Sequence, residues 1–248
     1  MIFTILFLKL KYIMKILSWN ISFTPFNTIR YRTIDIISEI KTKKPDIVLL
    51  QEVTRESEII IQESQSLKNY NYYSIHTSSG YWNATLINKN LICNNIRYDS
   101  LKLDSIMDRE MLIIFLEIKD SLIIIGNVHL ESTQSMASIR QNQIKCIENY
   151  IGNKLYDICI IGGDTNMLKN EKCLNENLFV DAWKHLGSSR KKCYTYDSTY
   201  HHPEKKGRRQ RYDRLWVSSK NKKEIQNIEI STHNKLSDHS AIVLNISF

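Results

Sequence analysis

The chain has 248 residues, of which 42% are hydrophobic and 24% charged, a balance ordinary for a globular protein and sufficient to bury a sizeable core. Its 7 Gly and 3 Pro, with no low-complexity tract or Ser/Pro-rich linker, leave no seam at which to divide it. The net charge of +8 points to a polyanionic partner, although an AT-rich genome that encodes Lys, Asn and Ile heavily gives the same surplus.

The opening "MIFTILFLKLKYIM" is apolar, but it lacks a charged n-region and a small-residue cleavage site, and it is too short to span a bilayer. Residues 1–13 are expected to be a short unstructured leader, with Met14 an alternative start and residues 14–248 one domain. "KILSWNIS" (15–22) reads as a strand. "IRYRTIDIISEIKTKK" (29–44) sets Ile29, Ile36, Ile37 and Ile40 near a helical stripe that Pro45 helps to end. "DIVLLQEV" (46–53) is a buried strand, followed by a helix over about 54–68. "YNYYSIHT", "ATLINKN", "EMLIIFLEIK" and "SLIIIGNVHL" read as consecutive antiparallel partners. The segment 133–151 is helical, with Ile139, Gln143, Cys146, Ile147 and Tyr150 along one side. The strands "DICIIGGD", "YDRLWVSS", "IQNIEIST" and "AIVLNIS" complete an α/β pattern of two mixed, mainly antiparallel sheets packed face to face with helices outside, a four-layer sandwich. The five cysteines are odd in number and without metal-ligand spacing, which suits structural thiols in a reducing compartment.

The apolar strands end in chemistry. "KILSWN" ends in Asn20, "DIVLLQE" in Glu52, "LIIIGNVH" in His129, and "DICIIGGDTN" in Asp164 and Asn166. "RYDRLWV" carries Asp213, and "SDHSAIVLNI" sets Asp238 and His239 just before the last strand. Singly, each has a plain reading: a turn asparagine, a helix cap, a satisfied histidine. Six repetitions of one placement make a site. Cysteine is absent from it, Ser132 lies in no GxSxG elbow, and zinc-ligand spacing is missing. Hard oxygen donors suit Mg²⁺, with Mn²⁺ as a substitute. His129, Ser132, Asn166 and His239 are hydrogen-bonding candidates for phosphate oxygens, Asp164 for holding or deprotonating water, and Asp213 for orienting a histidine. The set points to metal-assisted hydrolysis of a phosphodiester.

"SWN", "LLQEV", "GDTN", "YDRLWV" and "SDH", in that order from about Lys15 to Phe248, resemble the endonuclease/exonuclease/phosphatase superfamily of DNase I-like folds. "HLEST" with a following "RQNQ" helix, and "DAWKHLG…CYTYD", are similar to its tyrosyl-DNA phosphodiesterase 2 branch. That resemblance implies release of a tyrosine joined to a DNA 5′ end, as left by topoisomerase II, or of an RNA counterpart of the VPg kind. It implies a metal site of Glu52, Asn20 and Asp238, with Asp164 and Asn166 on water. His129, Ser132 and His239 would stabilise the phosphate, Asp213 would support His239, and Arg109 would face the leaving ring. Tyr81 matches the branch's substrate-gripping tyrosine, and Tyr196 stands where the branch usually has tryptophan. A tyrosine phenol, with a pKa near 10, leaves more readily than an alkoxide.

"KKGRRQR" (205–211), with five cations in seven residues, lies between two of these motifs, and Arg208, Arg209 and Arg211 are candidates for DNA-phosphate contact. An AP endonuclease or other nuclease, a lipid or inositol phosphatase, and an inactive nucleic-acid-binding module are the alternatives. The expected partner is DNA with a protein-linked end, or RNA, and no membrane. A monomer is expected, acting inside the cell in nucleus or cytoplasm, or in a viral factory if the chain is viral.

Overall fold

The computed structural model describes residues 12–24, 29–187, 193–200, 207–231 and 236–247. In chain order its elements are β1 (Ile13–Asn20), α1 (Ile29–Lys43), β2 (Ile47–Thr54), α2 (Arg55–Glu63), β3 (Tyr70–Ser74), β4 (Tyr81–Asn88), β5 (Asn94–Lys102) and β6 (Glu110–Ile118). There follow β7 (Ser121–His129), α3 (Ala137–Gly152), β8 (Ile158–Asp164), β9 (Phe179–Asp181), α4 (Ala182–His185), β10 (Tyr196–Asp197), β11 (Arg209–Gln210), β12 (Asp213–Ser218), β13 (Ile225–Ser231) and β14 (Ala241–Ser247).

The long strands form two six-stranded sheets, ordered β13-β14-β1-β2-β4-β3 and β5-β6-β7-β8-β12-β9. Each holds one parallel pair at its centre, β1 with β2 and β7 with β8, and each pair is joined through a helix, α1 or α3. Side chains alternate between faces. Met14, Ile16, Ile47, Leu49, Ile123, Ile125, Ile158 and Ile160 point between the sheets. Leu17, Trp19, Val48 and Leu50 point outward to Ile36, Ile37 and Ile40 of α1, and Ile124, Val128, Cys159 and Ile161 to Ile144 and Ile147 of α3. Strands covered on both faces need apolar residues at nearly every position, which is why "LIIIG" and "ICIIG" show no alternation.

Gly163 makes one close approach possible. Its φ is +144°, and a Cβ there would lie 1.9 Å from the Val128 carbonyl oxygen. Only glycine lets β8 run this close to β7 where His129 and Asp164 come level.

Several expectations are corrected. Ile13 already pairs with Ser247 in β1, and the Tyr12 hydroxyl donates to Asp46, so the fold begins before residue 14; residues 1–11 lie outside the described residues. "ATLINKN" does not pair with "EMLIIFLEIK": β4 sits between β2 and β3, and the turn after it carries the chain into the other sheet. The helix expected to reach residue 68 ends at Glu63, because Ser64 is extended and caps a separate turn. In α3 the buried stripe is Arg140, Gln143, Ile144, Ile147 and Ile151, rotated from the expected one by polar residues with buried work to do. β5, β9 and the two-residue strands β10 and β11 are additional to those expected. No helix among the described residues is long and apolar enough to cross a membrane.

Candidate active site

The parity that builds the core also builds the site. On the inter-sheet face, β1 runs Met14, Ile16, Ser18, Asn20; β7 runs Ile123, Ile125, Asn127, His129; and β8 runs Ile158, Ile160, Gly162, Asp164. On antiparallel β12 the same face carries Val217, Leu215 and Asp213, with Asp213 level with Asp164. At one end of the sandwich, the apolar interlayer therefore gives way to amide, imidazole and carboxylate.

Glu52 needs a further device. Leu50 and Val53 both face outward, so an unbroken strand would send Glu52 outward too. Instead the register slips between Leu50 and Val53, with Gln51 and Glu52 together opposite Asn83, and Glu52 takes φ +60°. This bulge turns the side chain inward. Its Oε1 accepts from Asn20 Nδ2 and its Oε2 from the Phe23 backbone N–H, each at 2.9 Å. Ser22, Asp108, Thr133 and Asn166 also have positive φ, as do Lys44, Asn95, Lys119 and Asp120 elsewhere in the chain.

Asp164 is the centre. Its Oδ1 accepts from the Asn166 backbone N–H and its Oδ2 from Asn20 Nδ2, each at 2.9 Å. His129 Nε2 lies 3.5 Å from the same Oδ2 and 3.8 Å from Glu52 Oε1, and His239 Nε2 lies 3.7 Å from that Oδ2.

The two imidazoles differ in charge. Burial would discharge His239, but the carboxylates of Asp213 and Asp164 outweigh it and hold the ring protonated well above the ordinary range; its Nδ1 donates to Asp213 Oδ2 at 2.8 Å. Burial, helped by the charges of Arg109 and His239, pushes His129 well below the ordinary range. Arg109 can only donate, and its Nη1 lies 3.0 Å from His129 Nδ1. The neutral ring therefore carries its proton on Nε2, a buried donor without a hydrogen-bond partner. Two N–H groups, one at the end of β7 and one just before β14, thus converge on Asp164 Oδ2.

Arg109 is itself nearly buried. Besides His129 it donates to Ser132 Oγ at 3.0 Å, and its guanidinium lies 5.2 Å from the Tyr81 ring centroid. Its aromatic neighbour in this structure is thus Tyr81, where the family resemblance sets a leaving tyrosine. Phe23 stacks on Tyr81 at 4.6 Å. Asn166 Nδ2 reaches Leu130 O and Ser132 Oγ. Opposite, Tyr196 packs 5.1 Å from both Tyr212 and His239, held by Ser240 N–H to Thr195 O and by Asp197 N–H to Asp238 O.

Glu52, His129 and Asp164 offer ligand atoms within 4.8 Å of one another, as do Asp164, Asp213 and His239. Burial pushes the carboxyls of both Glu52 and Asp164 upward, so a cation would relieve the cost of their charge. The set fits a hard divalent ion held chiefly by Glu52. Asp238 lies near enough for its charge to act on Glu52. Asn20 bridges Glu52 and Asp164 as a donor, while its Oδ1 accepts from Ser22 N–H.

The basic segment divides. Residues 201–206, including Lys205 and Lys206, lie outside the described residues. Arg209 is 64% exposed and pairs with Asp197, and Arg208 follows the β10–β11 arm. Arg211 is corrected: it is paired with Asp181 and mostly buried, so it is not a cation held out to a phosphate backbone.

Sequence reasoning missed the residues that hold the site from behind. Buried Glu131 accepts from Ser105 Oγ and Ile106 N–H, and Ser105 Oγ in turn accepts from Arg109 N–H. Arg140 pairs with Glu171 and donates to the carbonyls of Glu131 and Thr133; Gln143 donates to Asp104 O. "HLEST" and "RQNQ" contain all three as polar residues at positions the fold buries, which is the signal that marks them.

Two six-stranded sheets with a carboxylate–imidazole–amide centre at one end define a DNase I-like fold. The chain belongs to the Endonuclease/Exonuclease/phosphatase family, whose model matches residues 17–239. It is 27% identical over 191 residues to human Tyrosyl-DNA phosphodiesterase 2 (74% of this chain, 51% of that one). To the 5′-tyrosyl-DNA phosphodiesterase of Caenorhabditis elegans it is 28% identical over 211 residues (82% and 57%). The crystal structure of TDP2 from C. elegans superposes with a TM-score of 0.78 at 26% identity, covering 95% of this chain and 75% of that one. The chain thus spans about half the length of the curated relatives it matches.

Proposed function

We propose that this chain is a Mg²⁺-dependent 5′-tyrosyl-DNA phosphodiesterase, hydrolysing the bond between a protein tyrosine and a DNA 5′ phosphate and leaving a 5′-phosphate. The observation that carries the reading is the pair of imidazole N–H donors converging on Asp164, beside Glu52. Relatives carrying that activity in their names match the chain over most of its length.

In this reading Mg²⁺, held by Glu52 with Asn20 and Asp238 nearby, supplies positive charge to a phosphate oxygen when bound. Asp164, kept in place by Asn20 and Asn166, takes the proton of the attacking water. The imidazolium of His239 and the Nε2–H of His129 donate to non-bridging oxygens as the phosphorus gains its fifth ligand, and Ser132 adds a hydroxyl. Asp213 keeps His239 charged. Arg109 fixes His129, Ser132 and Tyr81 in one wall. The leaving phenolate, with a parent pKa near 10, departs with little need of a dedicated acid. Tyr196, Arg208 and Arg209 line the side on which the nucleic acid lies. Topoisomerase II adducts on DNA are the proposed targets, with 5′-tyrosyl-RNA as a second substrate, for a monomer acting in the nucleus or cytoplasm.

The test is a gel assay in Mg²⁺ with oligonucleotides bearing a 5′-phosphotyrosyl end, a 3′-phosphotyrosyl end or an abasic site. Conversion of the first alone to a 5′-phosphate is the expected result. Incision at the abasic site with the 5′ adduct intact would assign the chain to the AP-endonuclease branch instead.

A further inference from the structure

We infer that Asn127 is a positioning residue that sets the distance between Glu52 and His129 by clamping the β2 bulge from the opposite sheet. This rests on the reading of Glu52 as the metal carboxylate.

Asn127 is fully buried on the inner face of β7, two residues before His129 on the same face. Its side chain crosses to the other sheet: Nδ2 donates to Ala84 O at 2.9 Å and to Leu50 O at 3.1 Å, the paired residues immediately before the register slips. Its Oδ1 accepts from Gln51 Nε2 at 2.8 Å, from the first residue of the bulge. Its backbone carbonyl accepts from Asn83 Nδ2 at 3.2 Å, the residue opposite the bulge, and Asn83 also donates to Glu110 O.

These hydrogen bonds of Asn127 all end on the bulged strand or on its neighbour β4. A bulge breaks the ladder, and carbonyls left over in a dry interlayer must find donors. Asn127 supplies them from the strand that carries His129. Glu52 and His129 belong to different sheets, whose apolar interlayer offers no directional contact, and the Asn20–Asp164 hydrogen bond at its end leaves the direction between β7 and the bulge backbone open. The clamp supplies that direction.

The experiment measures Mn²⁺ affinity by calorimetry, with thermal unfolding in parallel, on the full chain and four variants: Glu52→Gln, Asn127→Leu, Asn83→Ala and Ile147→Ala. The last loosens the α3 layer without touching the bulge. Asn127→Leu and Asn83→Ala are expected to weaken Mn²⁺ roughly 5- to 50-fold, whereas Ile147→Ala lowers Tm and leaves Kd unchanged. If Asn127→Leu does not fold, Asn83→Ala decides. Wild-type Kd in the folded clamp variants, whatever their Tm, would overturn the inference. If Glu52→Gln binds Mn²⁺ like the wild type, the metal reading itself falls, a result distinct from failure of the clamp alone.

Discussion

Arg211 donates both terminal nitrogens to the two carboxylate oxygens of Asp181, at 3.1 and 2.6 Å, while Arg214 approaches the same carboxylate at 3.3 Å from beneath. Asp181 also caps α4, accepting from the Trp183 and Lys184 N–H groups. Burial raises its carboxyl, but Arg211 and Arg214 outweigh this and hold it below the usual carboxylate range. A depressed folded pKa stabilises the protein above the unfolded value, near 4, and that contribution is lost as pH falls through the folded one. Asp181→Asn should therefore cost about 3 kcal/mol at neutral pH and reduce the pH dependence of unfolding on the acid side of pH 4. Urea melts between pH 3 and 7 measure both; an undiminished acid slope would show that Asp181 is not its source.

Arg208 and Arg209 should behave differently from Arg211. Neutralising the first two is expected to raise KM on a tyrosyl oligonucleotide and to flatten its salt dependence by roughly 0.7 in log–log slope for each phosphate no longer engaged. Arg211→Gln should lower Tm and leave the slope nearly intact. Equal slope changes from all three would return Arg211 to the nucleic-acid face.

His239 owes its charge to Asp213 before any other group. In Asp213→Asn the imidazole should titrate at lower pH in metal-free protein, read by ¹H–¹⁵N NMR of the ring. Turnover that needs the imidazolium is present below the folded pKa and lost as pH rises through it. The alkaline limb of kcat should therefore move to lower pH in the variant, with a loss of about tenfold or more at pH 8. An unmoved limb would assign it to another group.

Glu52→Gln keeps the shape of the bulge side chain and removes its charge. Turnover in Mg²⁺ should fall roughly 100- to 1,000-fold, with Tm maintained or raised, because burial disfavours the ionised carboxylate in metal-free protein. Wild-type turnover would remove Glu52 from the centre of the site.

Much of the site was legible because the core imposes alternation. Asn20, His129, Asp164 and Asp213 each continue an inner-face series of apolar residues, so their convergence follows from strand parity. Glu52 is the exception: parity sends it outward, and only the slip opposite Asn83 brings it in. The partner of Arg211 lies 30 residues away at the end of a three-residue strand, where no local pattern announces it. β5 is hidden in the sequence because "NNIRYDSLK" is an edge strand that stays half in water and carries no alternation to read. The burial of Arg140 was equally hidden, since an arginine fits no apolar helix stripe, whereas Gln143 already stood on the expected one.

The pairing of β1 with β14 has a consequence for how the fold is reached. Trp19, at the end of the first strand, donates its indole N–H to the carbonyl of His239, 220 residues later. Closing so long a loop is entropically uphill until both strands have neighbours to reward it. β2, β3 and β4 can zip onto one edge of β1 early, but its other edge waits for residues 241–247. His239 and Asp238 come with that last strand. A chain still short of its final docking step therefore has Asp164 in place and no imidazolium beside it, so the hydrolysis proposed for this site would await the last strand.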